Sequence, residues 1–176
     1  MAGSLILRKR TDWGIRAFAQ CRERGVVLVV AGEGPEKPAL RRLAEDMRVT
    51  DRVFFLGHRN DVRDILLEAD IFLHVSSAEA CSYAVLESMA AGIPAVVTGT
   101  GAAGEQVDDG ITGRVVRTDD DSLLASALCD LLADRAKRLE MGVRARERWK
   151  RFYRVEETAV KYHTLYQALA GKNGRP

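Results

Sequence analysis

The chain has 176 residues, 47% of them hydrophobic, with 27 lysines and arginines against 25 aspartates and glutamates for a formal net charge of +2. That length and apolar content suffice for one domain with a sizeable core, and the near balance of charge excludes a protein that binds nucleic acid through bulk charge. The longest apolar run, "VVLVVA" at 26–31, falls far short of a membrane span.

No n-region, h-region and cleavage site open the sequence, so no secretory signal is read. Cys21, Cys81 and Cys129 are odd in number and widely spaced, and fit neither a zinc pattern nor a disulfide framework. The expectation is a cytoplasmic protein with three reduced thiols.

In chain order, "DWGIRAFAQCRERG" has apolar residues at helical spacing and closes on Gly25, a natural C-cap. "VVLVVAG" is a β-branched run of the kind buried on both faces. "EKPALRRLAEDMRV" returns to helix, with Pro38 tolerable in the first turn. "RVFFLG" reads as a strand and "DVRDILLEA" as a helix capped by Asn60 or Asp61. Then come strand "DIFLHVS", helix "SYAVLESMAAG" ending on Gly92, and strand "PAVVTG". "DDGITGRVV" is a turn leading into a short strand. "DDDSLLASALCDLLAD" is a helix with acidic residues at its dipole-positive end. From Arg135 to about Ala170 the chain is helical with one or two breaks.

This alternation predicts an α/β fold, a Rossmann-like doubly wound parallel sheet over 1–134 with a basic helical extension over 135–176. Ligands of such sheets bind beyond the carboxyl ends of the strands. The loops after Ala31, Leu56, Val75 and Thr98 therefore converge on one rim. The first, "GEGP", has two glycines that let a ligand approach the backbone, although glycine also simply forms turns. The second offers His58, which by itself reads as a surface loop residue. The third is more informative. Ser82 is a good N-cap, leaving the amides of Tyr83, Ala84 and Val85 free to bind an anion such as phosphate. Glu79 lies before that helix, and Glu87 a little over one turn into it. Carboxylates repel phosphate but accept hydrogen bonds from hydroxyls, so the set suits a diphosphate with a hydroxyl-bearing ring at each end. That describes a nucleotide sugar. Two glutamates at this spacing also occur by chance, and the pair alone is a weak signal.

The segments "GEGP", "VFFLGHRNDV", "ADIFLHVSSAEACSYAVLESMAAGIPAVVT", "GEQVDDGITGRVV" and "LEMGVRARERW" resemble, in order and spacing, the C-terminal donor-binding half of retaining GT-B glycosyltransferases, the family 4-like group 1 enzymes. The resemblance covers nearly the whole chain and rests on its Glu-x7-Glu core with the flanking motifs. It implies that Glu79 contacts the donor sugar or stabilises charge near its anomeric carbon. The amides around Ser82, Tyr83 and Ala84 would hold the diphosphate, and Glu87 the ribose. Lys9, in "LRKRTDWGIRAF", would neutralise the leaving diphosphate, and residues near Gly34 and His58 would flank the base. The implied chemistry retains anomeric configuration and needs no metal or other cofactor.

The chain departs from the pattern at Ser4, where the family has an arginine, and at Arg10, where it has a glycine. Ala80, Cys81 and Ser82 replace Gly-Phe-Gly, and Gly101-Ala102 replaces a glycine pair. Cys81 reads as a small buried residue without a catalytic role. The resemblance also implies a second, acceptor-binding half and a central strand ahead of Lys9. Either "SLILR" supplies that strand shortened, or the sheet keeps a gap that favours pairing with another chain.

Nine arginines and lysines against two glutamates mark residues 135–154, interrupted by Trp149, Phe152 and Tyr153. Docking on the domain, an N-terminal partner or a second copy ranks first, peripheral contact with the inner membrane face second, and nucleic acid a distant third. The readings are a donor-binding glycosyltransferase half, a non-catalytic nucleotide-sugar-binding subunit, or a scaffold. A sugar-nucleotide epimerase is a further enzyme alternative.

Overall fold

The computed structural model describes residues 1–117 and 120–172; Asp119 of the acidic cap and residues 173–176 of the expected extension lie outside them. β1 (Leu28–Ala31) pairs in parallel with β2 (Val53–Gly57), and β3 (Phe72–His74), β4 (Ala95–Thr98) and β5 (Gly113–Val116) form a second parallel sheet in that order. β4 lies between two strands and is buried at every position, as its β-branched composition requires. β2 is an edge, and its Phe54 and Leu56 are exposed.

Alternation along the strands sends side chains to opposite faces. Leu73 and Val96 point into one core with Ile15, Phe18, Leu40, Leu124 and Leu131. This face is covered by α1 (Thr11–Gln20), α2 (Lys37–Asp46) and α6 (Asp121–Ala133). Phe72, Ala95 and Val97 point into the other, against Leu66, Val85, Met89 and Ala145. That face is covered by α3 (Val62–Leu67), α4 (Tyr83–Ala91) and α7 (Arg135–Phe152). Fully burying a side chain such as Met89 or Val85 stabilises by about 2 kcal/mol. The result is the expected α/β Rossmann-like arrangement of parallel strands between helical layers.

Three expectations are corrected. α1 stops at Gln20, because the Cys21 carbonyl accepts two hydrogen bonds from the Arg52 guanidinium (3.2 and 3.1 Å) where a continuing helix would have used its own amide. Cys21 and Cys129 are joined by a disulfide, not reduced. They stand 108 positions apart, and only the packing of α1 on α6 brings them together. Cys81 is exposed rather than buried. A four-residue helix, α5 (Ala103–Gln106), adds to the elements read from the sequence.

"SLILR" forms no strand. Met1–Leu5 instead runs beside β1, with Gly3 and Leu5 donating to the carbonyls of Ala31 (3.0 Å) and Glu33 (2.9 Å). A 3-10 turn, Leu7–Lys9, follows. The sheets stay separate, and a mostly apolar cavity of about 580 Å³ lies beside them, lined by residues including Val27, Val29, Ile71 and Leu73.

The extension divides in two. α7 packs on α4 through the buried Gly142 and Ala145, while its Met141 reaches the core formed with α1 and α6. Arg148 also donates to the carbonyls of Gln106 and Glu105, both at 2.9 Å. α8 (Val155–Lys172) is exposed at every residue from 155 to 170. No helix among the described residues is long and apolar enough to cross a membrane.

The α4–α7 crossing depends on Gly142, where an added Cβ would stand 2.1 Å from the Gly92 carbonyl oxygen. Gly142→Ala should lower stability by about 1–3 kcal/mol through this overpacking, although alanine favours a helix. Arg144→Ala, on the exposed side of α7, should change it by less than about 0.5 kcal/mol. Thermal unfolding followed by circular dichroism checks both.

Candidate functional site

The site is assembled by the first ten residues and the loop after β3. Arg8 hands its carbonyl to the Ser77 amide (2.9 Å) and the Ser76 hydroxyl (3.1 Å), which pins the 3-10 turn to that loop. Arg10 then reverses the chain in a left-handed conformation, φ 40°, costly for any residue but glycine. Its guanidinium is held by Asp12 (2.9 and 2.8 Å) and lies 3.6 Å from the centre of the Trp13 ring.

The turn delivers Lys9 to Glu79, and Lys9 Nζ donates to Glu79 Oε2 in an ion pair. The carboxylate is only 9% exposed, and an unpaired charge that buried would be strongly destabilising. Arg8 adds a second cation: its Nη1 donates to the Ala78 carbonyl (2.9 Å) and stands 4.0 Å from Glu79 Oε1.

Backbone packing fixes Glu79 from behind. An added Cβ on Gly101 (φ 57°) would fall 1.6 Å from the Glu79 carbonyl oxygen, which also accepts from the Ala102 amide (3.3 Å). Only glycine fits there, for reasons of both space and backbone angle.

Three residues on, Ser82 caps α4, its hydroxyl accepting from the Val85 amide (3.4 Å). Gln106 holds the cap, donating to the Ser82 carbonyl (3.3 Å). Tyr83 is 77% exposed and Ala84 half-buried, so the first turn of α4 opens towards solvent. Its unpaired amides and dipole give that end a partial positive charge. Glu87 is exposed further along α4, and no ion pair or side-chain hydrogen bond engages it among the described residues.

The structure thus brings together Lys9 and Glu79 and sets Ser82, Tyr83 and Ala84 at the helix start directly after them. Gly34 and His58 sit on the first two rim loops. An added Cβ on Gly34 would meet the Leu5 carbonyl oxygen at 2.2 Å, so its missing side chain makes room for the N-terminal segment. His58 is exposed, 3.2 Å from Asn60 Oδ1.

Sequence reasoning passed over His74 and Arg8. His74 ends β3, is 4% exposed, and stacks on Phe72. Its Nε2 has no hydrogen-bond partner among the described residues and lies 3.6 Å from Glu79 Oε2. Burial, helped by Lys9, lowers its pKa to about 4 against the opposing pull of Glu79. The ring is neutral at physiological pH, so the contact with Glu79 is not an ion pair. A histidine inside the apolar run "DIFLHVS" was the available signal.

Residues 1–134 match the family described as Glycosyl transferases group 1. The chain is 32% identical over 170 residues to the N-acetyl-alpha-D-glucosaminyl L-malate synthase of Bacillus anthracis, covering 95% of this chain and 45% of that protein. It is also 32% identical over 168 residues to a GDP-mannose-dependent alpha-(1-6)-phosphatidylinositol monomannoside mannosyltransferase of Mycobacterium tuberculosis, covering 89% and 44%. The chain therefore spans less than half the length of these relatives. Among solved structures, Anabaena Alr3699/HepE in complex with UDP shares the fold with a TM-score of 0.89 at 23% identity, over 95% of this chain and 48% of that one. The sucrose-phosphate synthase of Thermosynechococcus elongatus superposes with a TM-score of 0.84 at 26% identity, over 94% and 43%.

The depressed pKa of His74 has a consequence for stability. Between pH 6.5 and about 4 the unfolded chain binds a proton here that the folded chain refuses. This contribution is complete above pH 6.5 and is lost as pH falls towards 4, by on the order of 3 kcal/mol. Urea unfolding at pH 7.5 and pH 4.5 should show a larger acid loss in the wild type than in His74→Leu.

Proposed function

The chain belongs to the group 1 glycosyl transferases, and on that footing we propose that it binds a nucleoside diphosphate sugar and serves transfer of the sugar to an acceptor. The observation that carries this reading is the Lys9–Glu79 ion pair set beside the open N-terminus of α4. Helix amides and a lysine attract a diphosphate, whereas Glu79 and Glu87 repel it and accept from hydroxyls. The site so divides into a central anion subsite with a sugar on the Glu79 side and a ribose on the Glu87 side. A GDP-mannose-dependent relative and a fold neighbour in complex with UDP support that class of donor.

In this scheme transfer breaks the bond between the anomeric carbon and a diphosphate oxygen and forms one to an acceptor oxygen, with retention of configuration. The acceptor proton passes to the departing diphosphate. Lys9, the amides of Tyr83 and Ala84, and Arg8 stabilise the charge that develops on the leaving group, without a metal. Arg8 takes the place of the cation lost at Ser4. Glu79 faces the oxocarbenium-like carbon, with the neutral His74 ring buried beside its carboxylate. Acceptor binding falls to the part of the relatives' length that this chain does not span.

Calorimetric titration with UDP, GDP, ADP and their sugar conjugates tests the reading. One nucleotide should bind saturably, and Glu87→Ala should weaken it roughly tenfold or more, further than Glu79→Ala does. Lys9→Ala should cost diphosphate ligands about ten- to a hundredfold and leave the nucleoside within about twofold. Equal losses for nucleoside and diphosphate, or no binding by the folded chain, would sink the assignment.

A further inference from the structure

Away from this site, we propose that Cys21, Glu23 and Cys129 form a redox-gated site for a thiophilic divalent cation, with Zn(II) chemistry. The two sulfurs and a Glu23 carboxylate oxygen lie within 4.8 Å of one another. Glu23 Oε2 is buried without a hydrogen-bond partner among the described residues. A buried carboxylate oxygen left so needs a reason, and the two sulfurs beside the same carboxylate suggest one. While the disulfide stands they can neither donate a hydrogen bond to Oε2 nor bind a metal with it.

Reduction changes the chemistry. A dithiol supplies two electrons and two protons, becomes its own disulfide, and leaves Cys21 and Cys129 as thiols. A divalent cation then displaces the two thiol protons and is held by two thiolates and one carboxylate. Water completes a four-coordinate shell. Thiolate donors select zinc over magnesium or calcium. Cys21 is fully buried while Cys129 and Glu23 are half-buried, which leaves the ion a path from solvent. Cys21 closes α1 and Cys129 belongs to α6, whose packing supplies a rigid frame for the donors. Either clamp, disulfide or metal, would hold the helix that starts two residues after Lys9. The proposal stands independently of the glycosyltransferase reading.

The test uses the Cys81→Ser protein, so that only the two thiols in question remain. Reduced, freed of reductant and titrated with Co(II), it should show a thiolate-to-cobalt charge-transfer band saturating at one ion per chain and abolished by Zn(II). The oxidised protein and Cys129→Ala should show no band, and Glu23→Gln should bind at least about tenfold more weakly. Far-UV circular dichroism is recorded on each sample. No band in the reduced, folded protein overturns the proposal. So does a Glu23→Gln affinity within about twofold of the parent, or a reduced chain that has lost its fold.

Discussion

The ion pair between Lys9 and Glu79 closes a separation of seventy residues, and the geometry of the site depends on it. A carboxylate only 9% exposed is stable as an anion where a cation meets it. That cation arrives on a segment held at two points: to β1 through Gly3 and Leu5, and to the loop after β3 through the Arg8 carbonyl. Segment, loop and pair therefore support one another. Neither sheet alone would bring a cation to Glu79.

The same burial has further consequences. His74 is kept neutral because the pocket that encloses Glu79 does not solvate a second charge. Gly101 is fixed by the close approach of the Glu79 backbone, so the loop after β4 moves with the carboxylate or not at all. Arg10 occupies a backbone conformation better suited to glycine and holds it with an ion pair and a stacked ring. Left-handed backbone, buried charge and a buried ring nitrogen are thus concentrated around one carboxylate, and the proposed donor site rests on that concentration.

Features written in local chemistry were legible from the sequence. Ser82 and Gly92 bracket α4 as cap residues should, and the β-branched run of β4 is buried throughout. The likeness of the flanking motifs to a known family pointed to Lys9 as a phosphate-neutralising residue; the structure pairs its side chain with Glu79. What escaped the sequence was set by contacts between distant residues. The end of α1 depends on Arg52, and the disulfide depends on α1 packing against α6. α5 is too short to show a helical period. The state of His74 follows from what encloses it, which no neighbour in the chain discloses.

The central claim is that the Lys9–Glu79 pair and the first turn of α4 together form a diphosphate site. It is met most directly by an NMR titration of the isotopically labelled chain with a nucleoside diphosphate, compared with the nucleoside alone. The account predicts saturable shifts of the Tyr83 and Ala84 amides and of the Lys9 ammonium with the diphosphate, and none of comparable size with the nucleoside. Saturable binding that leaves those three signals in place would contradict it.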